Sequence, residues 1–313
     1  MGFQKLFNDS RKTLLMQYQL LGKSSLKISR IGFGCMSLDA TNSDSEKILN
    51  RAFSLGINFF DTADIYQHGQ NEELLGRTFK GMRQKIILAS KIGNRWKPDD
   101  SGLYWVPSKK YILEGVEKSL KRLQTEYIDL YQLHGGTIED PIDEIIEAFE
   151  LLKAQGKILF YGTSSIRPQV IREYVRRTNI VSVMMQYSLL DRRPEEEMLD
   201  LLYKNQIGVL ARGSLAGGLL VSKTAKVYLK YSADQVKKAA AAVRELSDEK
   251  RKATQTALQF VLGNKTISSA VIGIRTMEHL NEAVAAMDAS PLDTKETEQL
   301  ANSIPANIYD LYR

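Results

Sequence analysis

Residues 127–162 read YIDLYQLHGGTIEDPIDEIIEAFELLKAQGKILFYG, two short apolar runs on either side of an amphipathic stretch. The runs 128–134 and 158–162 have the length and the residue types of buried strands. Between them Ile142, Ile145, Ile146, Phe149 and Leu152 recur at helical spacing and so share one face. Asp140 is expected to cap that helix and Pro141 to fill its first turn, where a missing N–H costs nothing. Gly156 then ends it in the position that favours a left-handed residue. Strand, covering helix and second strand make one βαβ unit.

The same alternation continues in both directions. Further strands are read at 29–34, 58–60, 86–91, 181–186, 208–212 and 269–273, which with the first two make eight. Repeated βα units of this kind predict an α/β fold, a parallel TIM (β/α)8 barrel. Ser43 and Glu46 have capping-box spacing ahead of Ile48, Leu49, Ala52 and Phe53, with Gly56 as the stop. Ile112, Val116, Leu120 and Leu123 form another apolar stripe. Ahead of the first strand, 17–21 and 26–29 flank a Gly-Lys-Ser-Ser turn and predict a small hairpin closing the bottom of the barrel. Residues 222–226 break the pattern as an elongated loop, and 291–313 should lay a further helix and loop across the barrel. No proline- or serine-rich linker interrupts the chain, so 1–313 is expected to be one domain, with 1–15 a frayed, disordered extension.

Composition narrows the classes of function. The chain has 313 residues, and its formal charge of +6 is spread along it rather than gathered in an arm. That pattern is a solvated surface, not a nucleic-acid footprint, and it suits an anionic cofactor. Cys35 is the lone cysteine, so no internal disulfide can form and a reducing cytoplasm is the expected compartment. No apolar run approaches the roughly twenty residues of a membrane span, so no membrane partner is expected.

In a barrel of this kind, reactive groups come from the carboxyl ends of different strands. Asp61 follows the apolar 57–60, Tyr66 lies five residues on, Lys91 ends 85–90 and His134 ends 127–133. Singly, each has a bland reading as rim, core or packing residue. Together they can reduce a carbonyl. Tyr66 would donate the proton, Lys91 would lower the phenol's pKa toward the working range, Asp61 would hold Lys91, and His134 would hydrogen-bond the substrate oxygen.

Asp61-Thr62-Ala63-Asp64-Ile65-Tyr66, the Lys91 strand end and Gln132-Leu133-His134 resemble the tetrad motifs of the aldo-keto reductase superfamily, in its order and spacing. Gly32-Phe33-Gly34-Cys35-Met36, Gly162-Thr163-Ser164-Ser165, Gln186-Tyr187-Ser188-Leu189 and the 215–220 stretch agree with it. The resemblance, to the bacterial NADPH-dependent oxidoreductase type, implies NADPH as cofactor and a small-molecule aldehyde or ketone as substrate. It carries the catalytic roles to Asp61, Tyr66, Lys91 and His134. Cofactor contacts are implied at Gly34, Cys35, Met36 and Asp61, and at Ser164, Ser165 and Gln186 for the nicotinamide carboxamide. Arg212, Gly213, Ser214, Leu215, Ala216 and Gly217 correspond to the ring contact and the pyrophosphate loop. Gly273, Arg275, His279 and Glu282 correspond to the adenosine phosphate site, where Arg275 would pair with a 2′-phosphate.

Each of these groups keeps a plainer alternative: helix caps for the serines, an ordinary loop for 213–218, a surface charge for Arg275. The sequence also departs from the family pattern. Ser165 stands where many members have asparagine, Arg212 where they place an aromatic ring, Ser214 for proline and Ala283 for asparagine. These changes bear on cofactor affinity rather than on the tetrad. Some relatives with the same fold serve as nucleotide-sensing regulatory subunits, the alternative role. A Rossmann reading of 32–37 fails on its missing third glycine, and a metal hydrolase on three histidines with no pair at ligand spacing. Trp96, Tyr104 and Trp105 after Lys91 either wall a pocket or pin their loop to the barrel.

Overall fold

The computed structural model describes residues 16–311. Eight parallel strands close into a barrel in chain order: β3 (Ile31–Gly34), β4 (Phe59–Asp61), β5 (Ile87–Ile92), β8 (Ile128–Leu133), β9 (Ile158–Ser164), β10 (Ser182–Gln186), β11 (Gly208–Arg212) and β12 (Ile267–Gly273). Pairing of β12 with β3, from Ala270 opposite Ile31 to Gly273 opposite Gly34, makes the closure. Helices α1 (Ser43–Ser54), α2 (Gln70–Thr78), α3 (Lys109–Leu123), α4 (Ile142–Ala154), α5 (Pro168–Arg177), α6 (Met198–Lys204), α7 (Ala233–Glu245), α8 (Ala253–Leu262) and α9 (Met277–Val284) follow or separate the strands. α10 (Thr294–Asn302) is the further helix read near the end of the chain. The reading of residues 1–15 as an extension, and the last two residues of the tail, lie outside the described residues.

Two small antiparallel hairpins complete the set, β1 (Tyr18–Leu20) with β2 (Lys27–Ser29), and β6 (Asn94–Trp96) with β7 (Leu103–Trp105). The first is a plug. Its Leu21, Leu26 and Ile28 join Phe59, Ala89, Leu130, Met184, Leu210 and Val271 in a buried cluster inside the barrel. Gly22 is left-handed there, and an added Cβ would meet Val181 O, Gly208 N and Gln206 O at 2.4–2.7 Å. These atoms lie at the amino ends of β10 and β11, so the plug fills that end and leaves the carboxyl end for chemistry. A larger core lies between barrel and helices, where the ring of Phe60 packs 5.8 Å from Phe33 and 4.5 Å from Phe79.

The structure corrects several local expectations. The run 29–34 is split: Ser29 ends the plug hairpin and Ile31 starts the barrel. Between them the Arg30 guanidinium donates to Gln19 Oε1 at 2.5 Å and to the Ile267 and Leu262 carbonyls, turning the chain from plug to strand. Asp140 does not cap α4; Pro141 holds the cap position without a side-chain bond. Asp140 instead accepts from Thr137 N at 2.6 Å and Trp105 Nε1 at 2.8 Å. α1 is capped by Asn42, whose side chain accepts from Asp44 N, rather than by a Ser43 box. The apolar stripes are as read, with Ile145, Phe149 and Leu152 buried on α4 and Ile112, Val116, Leu120 and Leu123 on α3.

Candidate active site

Strands β4, β5 and β8 are neighbours, and their carboxyl ends bring three of the four expected groups together. Lys91 Nζ donates to Asp61 Oδ2 at 2.7 Å and to Thr62 O at 2.6 Å, with both partners of the ion pair buried. Gln132 Nε2 donates to Asp61 Oδ1 at 3.3 Å and so fixes the carboxylate from the next strand. The Lys91 ammonium sits 5.1 Å from the centre of the Tyr66 ring, which lies edge-on to His134 at 6.0 Å. Phenol, ammonium, carboxylate and imidazole therefore converge at one mouth of the barrel.

Tyr66 arrives there on strained backbone. Gln67 and His68 are left-handed, at φ 47° and 56°, and Gly69 follows at φ 89°. Left-handed conformations cost a non-glycine residue roughly 1 kcal/mol or more each, so the neighbours must hold them. Gln67 Oε1 accepts from Ala40 N at 3.0 Å, and the His68 ring stacks on Trp96 at 4.4 Å. No sequence pattern signalled this segment.

The β6–β7 hairpin was also missed, because each strand has three residues and little apolar alternation. It ties the site together. Trp96 Nε1 donates to Ile65 O at 2.9 Å, Asn94 Nδ2 donates to His134 O at 2.8 Å, and Trp105 reaches Asp140. The tryptophans pin the loop; of Trp96, Tyr104 and Trp105, only Trp105 is among the residues lining the cleft.

Electrostatics follow burial. Desolvation pushes the Asp61 carboxyl up, against the pull of Lys91. Burial works to lower Lys91, but Asp61 and Tyr66 outweigh it and hold the ammonium above its ordinary value. His134 is pushed down to about 3 by burial and by the nearby Lys91 and Arg212 cations, so its ring is neutral at physiological pH. Its buried Nδ1 has no partner among the described residues. The expectation that Lys91 brings the Tyr66 phenol toward neutrality is not met. Burial raises the phenol more than Lys91 lowers it.

A cleft of about 810 Å³ opens over these groups. Gly34, Met36, Ser164, Ser165, Arg212, Gly213 and Gly273 line it alongside the four. Leu103, Trp105, Ile65 and Ile166 supply apolar wall. Gln186 lies beside Arg212 in strand register, next to Gly213. Ser165 Oγ already accepts from Arg167 N at 3.2 Å, which leaves its hydroxyl proton for a second partner. Arg212 is half-buried with no side-chain hydrogen bond or ion pair among the described residues.

Other expected contacts are placed less directly. Cys35, Ser214 and Ala216 are buried, backbone included, and do not line the cleft. Gly213, Ala216 and Gly217 are left-handed, giving the 213–217 loop a tight course. Leu215 packs on the outer core. Arg275 and His279 are exposed at the start of α9, while Glu282 accepts from Thr254 Oγ1 at 3.0 Å and is tied to α8. These groups fit an anionic dinucleotide: a cleft with polar groups at its floor, and guanidiniums at Arg212 and Arg275 that have no carboxylate partner among the described residues.

Comparison with known proteins meets this geometry. A model of the "Aldo/keto reductase family" matches residues 30–304. The chain belongs to the aldo/keto reductase family. It is 48% identical over 307 residues to the "Uncharacterized oxidoreductase YqkF" of Bacillus subtilis (strain 168), covering 95% of this chain and 100% of that one. The holo form of aldo-keto reductase AKR11C1 from Bacillus halodurans superposes with a TM-score of 0.90 at 46% identity, over 96% of this chain and all of that one. A probable voltage-gated potassium channel subunit beta of Arabidopsis thaliana is 29% identical, over 93% of this chain and 98% of that one. As a family member the chain is an oxidoreductase on a (β/α)8 barrel.

The neutral state of His134 is directly measurable. Histidine NMR of the folded chain should show the His134 ring uncharged from about pH 5 to 8, because its folded value lies well below its unfolded one near 6.5. A His134 signal titrating near pH 6.5 would contradict that burial.

Proposed function

We propose that this oxidoreductase is an NADPH-dependent carbonyl reductase, converting a small aldehyde or ketone to an alcohol with Tyr66 as general acid. The observation that carries the reading is the convergence of Tyr66, Lys91, Asp61 and His134 at the floor of one cleft. Bound there, the nicotinamide would supply the hydride. Everything else falls to the chain's own side chains.

A carbonyl oxygen beside Tyr66 gains negative charge as it is reduced, and the phenol hands it a proton. A phenol with a raised pKa is still far more acidic than an alcohol, so the transfer runs downhill. Lys91 stabilises the phenolate that remains, and Asp61, Gln132 and the Thr62 carbonyl keep the ammonium from turning away. His134, neutral, offers one N–H to the same oxygen and sets the angle of the carbonyl. The apolar wall of Leu103, Trp105, Ile65 and Ile166 would take the part of the substrate that does not react.

For the nucleotide, Ser164, Ser165 and Gln186 are assigned to the carboxamide, and the guanidinium plane of Arg212 to the nicotinamide ring face. Amides of 213–217, with Gly34, Cys35, Met36 and Gly273, would line the path of the phosphates. Arg275, exposed just ahead of α9, is assigned to the 2′-phosphate, which favours NADPH over NADH. The regulatory-subunit alternative draws on a relative at 29% identity, whereas relatives at 46–48% are described as oxidoreductases or aldo-keto reductases.

An NADPH-consumption screen across carbonyl classes tests the reading. On a good substrate, Tyr66→Phe should lose turnover by about 10²-fold or more while the NADPH dissociation constant stays within a few-fold. Wild-type turnover in that variant would remove Tyr66 from the proton step. Arg275→Ala should weaken NADPH about tenfold and leave NADH nearly unchanged by fluorescence titration; equal losses for both nucleotides would refute the phosphate assignment.

A further inference from the structure

A second polar cluster lies against the outside of the barrel wall, beneath the loop that carries Tyr66. Asp64 stands two residues before Tyr66, and its Oδ1 is buried with no partner among the described residues. The hydroxyl of Tyr111, on α3, lies 3.2 Å from Asp64 Oδ2 and 2.9 Å from Asn94 O. Asn94 in turn donates to His134 O at 2.8 Å, and its hairpin neighbour Trp96 donates to Ile65 O. These contacts join the segment before Tyr66 to the residue that carries the imidazole.

Counting hydrogens favours one state of this chain. A phenol has one proton to give, and the Asn94 carbonyl can only accept. An ionised Asp64 could also only accept, so two acceptors would compete for one hydrogen. A protonated Asp64 gives its own hydrogen to Tyr111 Oη, which passes its hydrogen to Asn94 O, and both contacts are satisfied.

The surroundings favour the proton. Glu72 of α2 faces Asp64 and is fully buried, paired at 2.6 Å with Arg122 of α3 and bonded by Ser90 of β5. Tyr131 of β8 is a buried phenol nearby, the Lys91 carbonyl accepts from Asp64 N at 3.3 Å, and Arg95 and Tyr104 of the hairpin face Tyr111. One cation thus serves two carboxylates. Burial first, and the charge of Glu72 second, push the Asp64 carboxyl up to about 8, against the opposing pull of the Tyr111 hydroxyl, Arg122 and the Ile65 N–H.

We propose that Asp64 is a positioning residue: protonated at neutral pH, it completes a chain through Tyr111 and Asn94 that keeps Tyr66 and His134 in working register. Its kinetic consequence rests on the carbonyl-reductase reading; its proton does not. Because the folded value is raised, the carboxyl keeps its proton as pH climbs to neutrality and loses it through about 8. Above that, Tyr111 faces two acceptors and one of its bonds is given up.

The chain's two tryptophans, Trp96 and Trp105, both lie on the hairpin, so intrinsic fluorescence reports the chain without any substrate. Fluorescence and kcat are followed together from about pH 6 to 9.5 in the wild type, Asp64→Asn and Tyr111→Phe. The wild type should show a fluorescence step with a midpoint near 8, and kcat should fall about threefold or more in step with it, while KM for NADPH holds. Asp64→Asn, whose amide donates to Tyr111 at every pH, should lose both steps. Tyr111→Phe should have a kcat about tenfold lower at neutral pH and no alkaline step. A step that persists in Asp64→Asn, or a wild type with no fluorescence step, overturns the proposal. Absence of carbonyl turnover with either nucleotide would instead count against the reductase reading, and the fluorescence arm would still judge the proton.

Discussion

The buried ion pair between Lys91 and Asp61 is the constraint on which the site depends. Taking a carboxylate and an ammonium out of water costs several kcal/mol per ion, and their attraction returns that only with good geometry and further hydrogen bonds. Here the further bonds exist: Thr62 O receives a second Lys91 proton and Gln132 holds the other Asp61 oxygen. A pair of this kind is a weak source of stability and a strong source of position. Closure of the barrel makes it possible, because parallel β4, β5 and β8 carry Asp61, Lys91 and Gln132 to adjacent points on the same rim.

Both ends of the barrel are then specialised. At the amino end, the β1–β2 plug fills the interior with Leu21, Leu26 and Ile28, which pack against Phe59, Leu130 and Leu210 of the strands. At the carboxyl end, groups that could not be buried without partners are held by the β6–β7 hairpin, through Ile65 O on one side and His134 O on the other. The left-handed Gln67 and His68 are strain tolerated where the chain turns Tyr66 inward, and stacking of His68 on Trp96 is part of what holds it.

Most of this architecture was legible in the sequence, for a physical reason: strands buried on both faces are written as continuous apolar runs, and helices covering them as 3.6-residue stripes. Asp61, Lys91 and His134 were legible because they end such runs; Tyr66 was legible only by its spacing after Asp61. What escaped was local and polar. Asp140 looked like a helix cap, but in the fold Trp105 competes for it across 35 residues of chain. Asn42 and Ser43 are both good caps, and spacing alone could not choose between them. The hairpin at 94–105 lacks an apolar signature. Its hold on the site comes from two side-chain N–H groups, which no periodicity reports. Cys35, Ser214 and Ala216 sit in stretches that resemble a cofactor loop, yet the fold buries all three, Cys35 and Ala216 in the core. The acidity of Tyr66 was misjudged because the sequence shows a nearby lysine and not the depth at which both are buried.

In this reading the ion pair serves to set a cation beside the Tyr66 phenol. Replacing both partners at once, Asp61→Asn with Lys91→Met, removes the pair without leaving a lone buried charge. Turnover of this double variant on a carbonyl substrate is the direct measurement, made beside its melting temperature and NADPH binding. The expected result is a folded, nucleotide-binding protein whose kcat is down by about 10²–10⁴. A double variant that reduces carbonyls within a few-fold of the wild-type rate would contradict it.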